Sequence, residues 1–259
     1  VDAARIAAVA SLCLSLAWAG PARSLGIRYP DPVYTVTGVR YDLTGELLES
    51  TSAWSVEACE RDLFDGVGLR VAGVRARAGL PADLRLVAEA AQLSTGVGAE
   101  TSAWVGVRRR TRSWMLGAAV TWDGAAIDGA TPAWLAGLTL HTAVWAAEGV
   151  RLGCDIDGVR LAGLEHPGAD ICSTVLVMIP HGVALSSVLV VDRADGAHAR
   201  VATALRLGSA ALLVGGYDDG TGSLSLALAV TGAGARVSAG SSLHPVLGLS
   251  RGVSVGWGR

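Results

Sequence analysis

The sequence predicts an all-β fold, an antiparallel transmembrane β-barrel of about 12–14 strands. Three observations carry this. Large apolar side chains alternate with small or polar ones over long stretches. The runs recur almost without interruption from Ser55 to the end of the chain. The composition is too greasy for an ordinary water-exposed surface: 51% of residues are hydrophobic and 17% charged, against about 25% charged in an average soluble domain.

The clearest run is Ser223 to Thr231, with Leu224, Leu226, Leu228 and Val230 on one parity and Ser225, Ala227 and Ala229 on the other. In an extended strand a period of two makes one greasy face and one small, polar face. Val253, Val255 and Trp257 repeat the pattern against Ser254, Gly256 and Gly258. Turn chemistry at Asp218-Asp219-Gly220 and Gly232-Ala233-Gly234 separates consecutive hairpins.

From the start, residues 6–18 form an uncharged apolar run of 13 residues behind a short charged lead, and Ala17-Trp18-Ala19 has the small-x-small form of a cleavage site. Residues 1–19 are therefore expected to be a signal peptide. Residues 20–52 are expected to be an irregular N-terminal segment, because Pro21, Pro30, Pro32 and scattered glycines oppose a long helix. Within it, residues 43–52 suggest a short helix or turn. Residues 53–259 are assigned to the barrel.

Alternation then recurs in order. Val67, Leu69 and Val71 come first, then Leu84 to Ala90 after Pro81, residues 96–107, and Trp114 to Trp122. Next come Trp134 to Leu140 after Pro132, Val150 to Ile156, and residues 171–179 and 183–191 around Pro180-His181-Gly182. Residues 200–207 and 210–217 complete the series. Runs of about 8–11 residues suit tilted strands crossing a bilayer. Residues 129–147 and 171–191 are also long and uncharged enough for membrane helices, but Pro132 and Pro180 interrupt them and their small residues alternate rather than forming a stripe.

The net charge of −2, from 21 arginines and 23 acidic residues, excludes the electrostatic footprint of a nucleic-acid binder. Cys59, Cys154 and Cys172 allow at most one disulfide after export, with one thiol left over. No CxxC or zinc spacing occurs. The histidines, His141, His166, His181, His198 and His244, show no metal-ligand spacing. No catalytic, cofactor or metal residue is assigned. Ser241-Ser242-Leu243-His244 invites a hydrolase reading, yet adjacency in a turn is not the mutual geometry that nucleophile and base require. Arg108-Arg109-Arg110-Thr111-Arg112 reads as a solvated hairpin turn or a rim contact for lipid phosphate or an acidic partner. Asp155-Ile156-Asp157-Gly158 and Asp218-Asp219-Gly220 read as turns rather than calcium loops. Trp54, Trp104, Trp122 and Trp257 are candidates for interfacial girdles.

The C-terminal half carries a resemblance. Ala204-Leu205-Arg206-Leu207-Gly208, then Gly215-Gly216-Tyr217-Asp218-Asp219-Gly220, then His244-Pro245-Val246-Leu247-Gly248 before a final strand, resembles PorV/PorQ-type outer-membrane proteins within the wider FadL-like transporters of hydrophobic compounds. The chain departs from that pattern in closing on Trp257-Gly258-Arg259 rather than an aromatic residue, and in having one Phe and four Tyr, as a divergent member would. The resemblance implies a 14-stranded barrel in the bacterial outer membrane. Its expected function is passive transport of hydrophobic small molecules, or a structural part in protein export or surface attachment. The partners implied are outer-membrane lipid, a hydrophobic small molecule or secretion-system proteins, and no nucleic acid. A secreted soluble β-sandwich binding module and a barrel lipid hydrolase are the alternatives.

Overall fold

The structure, a computed structural model, describes residues 32–37, 53–65, 68–95, 98–127, 131–163, 170–179, 182–192 and 196–259. The signal peptide expected at 1–19, the helix or turn expected at 43–52, His166 and His181 lie outside these residues. One short helix, α1 (Pro32–Thr37), precedes β1 (Trp54–Leu63), β2 (Leu69–Leu80), β3 (Leu84–Thr95), β4 (Gly98–Arg110), β5 (Trp114–Ile127), β6 (Ala133–Ala147) and β7 (Val150–Gly163). The second half comprises β8 (Asp170–Ile179), β9 (Val183–Asp192), β10 (Gly196–Leu207), β11 (Ala211–Asp218), β12 (Ser223–Gly232), β13 (Ala235–His244) and β14 (Gly248–Gly258).

Each strand pairs antiparallel with its sequence neighbours, and β14 pairs with β1, so the sheet closes with no free edge. Closure matters because a strand edge in hydrocarbon would leave backbone N–H and C=O groups unsatisfied at several kcal/mol each. Trp54 and Arg259 exchange backbone hydrogen bonds of 3.1 and 3.0 Å across the seam. Of the stretch 129–147, a helical candidate by hydropathy, residues 133–147 are the single strand β6, and 171–191 falls in the hairpin of β8 and β9. No described helix is long and apolar enough to cross a membrane.

The sidedness is inverted relative to a soluble protein. On β12, Leu224, Leu226, Leu228 and Val230 are 60, 54, 43 and 45% exposed, while Ala227 and Ala229 are 1 and 0% exposed. Val56, Val74, Val105, Leu116, Val120, Val201, Val237 and Val255 are likewise exposed on other strands. An apolar belt running round the whole molecule is far beyond the few hundred Å² a soluble monomer tolerates. A sandwich would bury this face between two sheets; here one closed sheet turns it outward, which removes the β-sandwich alternative. Exposed charges gather near the rims, where Arg70 pairs with Glu60 at 3.0 Å and Asp62 at 3.1 Å, and Arg251 with Asp65 at 3.0 Å.

Both ends of the barrel chain lie at one mouth, where the connections are two or three residues long; at the opposite mouth they run from two to six. Trp54, Trp114 and Trp257 point outward near the first mouth, and Trp122, Trp134 and Tyr217 near the second. These are two aromatic bands. Trp104 corrects the girdle expectation. It sits on an even position of β4, where even positions face inward, and meets His141 edge-on at 5.9 Å.

Candidate functional site: the barrel lumen

The lumen is where this fold can act, and its wall divides into three sectors. The first lies along the closing seam. Glu57 on β1 stands beside Gly256 on β14, whose other neighbour is Arg236 on β13. A side chain at 256 would collide with Glu57, since a Cβ there would lie 2.6 Å from Glu57 Cγ. The glycine leaves Glu57 free to reach over β14 to Arg236 Nη1 at 3.2 Å. The same carboxylate meets Arg77 Nη1 at 3.5 Å and Arg75 Nη1 at 3.6 Å, and Arg75 Nε donates to Glu89 Oε1 at 2.6 Å. Higher on the seam Arg61 passes Gly252 to donate to Ser242 Oγ at 2.6 Å, and Ser238 and Ser254 share a hydrogen bond of 2.6 Å. Glu57 is the buried hub of this sector.

The second sector spans β4 to β7. His141 Nδ1 lies 2.9 Å from Asp155 Oδ1, and Thr139 donates to Asp157 at 2.5 Å. Asp155 and Asp157 were expected in a turn. They instead lie within β7 two residues apart and therefore on one face, opposite His141 and Thr139 of β6. Trp145 lies between two guanidiniums, Arg110 at 5.1 Å and Arg151 at 5.3 Å from its ring. The arginine run 108–112 thus divides: Arg108 and Arg110 take lumen-facing positions of β4, Arg109 is exposed, and Thr111 to Ser113 form the turn. Thr111 Oγ1 closes that turn by accepting from the backbone N–H groups of Ser113 and Trp114.

The third sector, β8 to β12, carries an apolar strip. Leu176, Ala184, Ala202, Ala204, Leu212, Val214, Ala227 and Ala229 form one buried cluster with Val33 and Val36 of α1. The N-terminal segment, expected to be irregular, thus supplies a helix inside the barrel. Its sequence, Pro-Val-Tyr-Thr-Val-Thr, starts well with proline but is rich in β-branched residues and under two turns long. Such a segment is not stable alone; its contacts hold it, with burial of each valine contributing about 1.5–3 kcal/mol. Gly216 and Gly240 make the approach possible, because a Cβ at either would lie 2.9 Å from Val36 O or 3.0 Å from Pro32 Cβ.

A cavity of about 210 Å³ opens toward the terminus-bearing mouth, lined in part by Glu57, Arg77, Arg85 and Arg236. A second, of about 240 Å³, opens toward the other mouth beside Val36, Arg61, Arg200, Ser242 and His244. In the latter, Arg200 Nε donates to Asp218 Oδ2 at 3.0 Å. Asp218 and Asp219 do form the turn expected of them: Asp218 Oδ1 accepts from Gly220 N at 3.1 Å and Asp219 Oδ1 from Ala199 N at 2.5 Å.

The Ser-His pair of the hydrolase alternative is not assembled. Ser241 and Ser242 face opposite sides of β13, and Ser242 accepts from Arg61. His244 Nδ1 accepts from the backbone N–H groups of Val246 and Leu247 at 3.1 and 3.0 Å, the role of a turn cap. Cys59 and Cys154 are buried and Cys172 is half-buried, and no disulfide joins these three to one another. What sequence reasoning missed was the seam network and the plug; the signal available was the concentration of arginine on one parity of β2 to β4.

No protein-family model matches the sequence, and no curated protein sequence does. Solved structures do match. The Pseudomonas putida toluene transporter TodX aligns at a TM-score of 0.59 and 11% identity over 89% of this chain and 96% of that one. The CymD monoaromatic hydrocarbon channel aligns at 0.57 and 9% over 88% and 97%. The Acinetobacter baumannii outer membrane protein Omp33 aligns at 0.54 and 7% over 80% and 98%. At these identities the likeness is one of fold, a 14-stranded barrel of the bacterial outer-membrane type.

Proposed function

We propose that this chain is an outer-membrane channel for passive passage of small hydrophobic molecules, with α1 as its plug. The observation that carries the reading is the apolar strip on β8 to β12, covered by a helix that has little stability of its own. Displacing the helix opens a greasy track along an otherwise polar lumen, joining the two cavities. The hydrocarbon channels among the structural neighbours support the same reading. Export by the signal peptide at 1–19 and an outer-membrane location, with the terminus-bearing mouth toward the periplasm, belong to this proposal. The lumen chemistry requires no catalytic step.

The test loosens the plug. Val33→Asp/Val36→Asp places two carboxylates against the apolar strip and leaves every strand ladder intact. Toluene flux into proteoliposomes should rise several-fold with the barrel still heat-modifiable on a gel. Unchanged flux in a folded double variant refutes the plug.

A second reading, a structural component of protein export or surface attachment, is favoured by the PorV/PorQ-type motifs around residues 204–220 and 244–248. It differs in expecting stoichiometric co-purification with secretion-system proteins and no solute flux.

A further inference from the structure

Charge on the outer wall is confined to one side of the barrel. Among the strand residues whose side chains are described, outward-facing positions carry a charge at Glu60 and Asp62 on β1, Arg70 on β2 and Arg251 on β14. They otherwise do so only at Arg109, one residue from the end of β4 at the opposite mouth. The seam charges adjoin one another, since Asp62 stands opposite both Arg251 and Arg70 in the ladders. Glu60 lies three residues in from the end of β1, and Arg251 three in from the start of β14. The patch therefore reaches below the rim.

Beneath it the wall is smooth. Ala58, Ala72, Ala76 and Ala239 point outward on β1, β2 and β13, where β12 presents Leu224, Leu226 and Leu228. Two greasy walls gain little by meeting in hydrocarbon, because lipid chains are as apolar as they are. Association there comes from close packing between small residues and from polar contacts. A charge facing lipid is costly, and an opposite charge on a neighbour offsets that cost. The seam wall supplies both conditions.

The charges also specify the neighbour. Arg70 is shared by Glu60 at 3.0 Å and Asp62 at 3.1 Å, and Arg251 holds Asp65 at 3.0 Å. These side chains are still 51–65% exposed, so each has room for a further contact. A patch with both signs fits a surface carrying both signs in reverse order, and suits neither a wholly acidic nor a wholly basic partner. A second copy of the same patch meets that condition. A two-fold axis along the barrel, between β14 and β1, sets Arg251 against Glu60 and Asp62 of the other copy.

We propose that the chain forms a two-fold dimer in the membrane through the outer wall of β14, β1 and β2. The contact goes beyond the channel reading and uses no lumen residue.

Single-molecule photobleaching of the full-length barrel in lipid vesicles, over a range of protein-to-lipid ratios, counts the copies. The wild type should be dimeric, and Arg70→Glu/Arg251→Glu should weaken the dimer about tenfold by placing acid against acid. Arg109→Glu, at the opposite mouth, should leave it unchanged. Exposed ion pairs contribute little to folding, so all three proteins should remain heat-modifiable on a gel. Val253→Cys, beside Glu60 on the seam, should cross-link two copies with copper–phenanthroline as oxidant, and Leu228→Cys on β12 should not. A monomer at every ratio overturns the proposal and leaves the patch to lipid headgroups. A dimer that withstands the charge reversal, or that cross-links through Leu228→Cys, overturns it as well.

Discussion

Glu57→Ala should lower the unfolding free energy of the barrel by about 3–5 kcal/mol, the usual cost of removing one partner from a buried ion pair. The carboxylate is 4% exposed and lies within 3.6 Å of three guanidiniums on β2 and β13. Deleting it removes the carboxylate that Arg75, Arg77 and Arg236 share, while Arg75 keeps its contact with Glu89. The loss falls on the seam, since Glu57 ties β1 to β13 across the side-chain-free Gly256. Glu57→Gln keeps the shape and part of the hydrogen bonding and should cost less. Glu57→Ala/Arg236→Met should recover part of the loss, because the second change removes one of the buried charges that Glu57 had balanced. Urea titration in lipid vesicles, followed by the heat-modifiable gel shift, measures all three. A Glu57→Ala midpoint equal to wild type means that the hub contributes nothing to closure.

The strands were legible because their signal is local. Residues 223–231 show which side chains share a face, and in a barrel in lipid that is enough to say which face is greasy. Long-range relations were not legible. Glu57 and Arg236 are 179 residues apart, and Arg61 and Ser242 181, so no window contains either pair. Gly256 reads as one more small lining residue, while its function is to leave a gap for a neighbour's carboxylate. Trp104 and Trp122 are the same residue type in similar runs; only parity within β4 and β5 sends one inward and the other toward lipid. Asp155-Ile156-Asp157-Gly158 has turn chemistry, yet His141 and Thr139 across the ladder offer its carboxylates better partners in a strand. The plug helix opposes its own propensities, and its stability comes from a barrel wall assembled from residues 176–229.

Leu228→Arg should destabilise the barrel by about 2–4 kcal/mol in a bilayer, the cost of arginine at the midplane of a lipid-facing surface. Leu228 lies mid-strand on β12, is 43% exposed, and has Leu226 and Val230 as its neighbours on the same face. The informative comparison is Leu224→Arg, one residue in from the end of the same strand. There the guanidinium can reach the headgroups, and the cost should fall to about 0–1 kcal/mol. Exposure alone ranks the two the other way, since Leu224 is the more exposed at 60%. In water neither substitution would cost much, because replacing an exposed leucine by arginine removes no buried contact. A large and depth-dependent penalty in lipid vesicles therefore requires hydrocarbon against β12. Equal and negligible penalties at the two positions would instead place the leucines in water, and would remove the membrane from the account of this chain altogether.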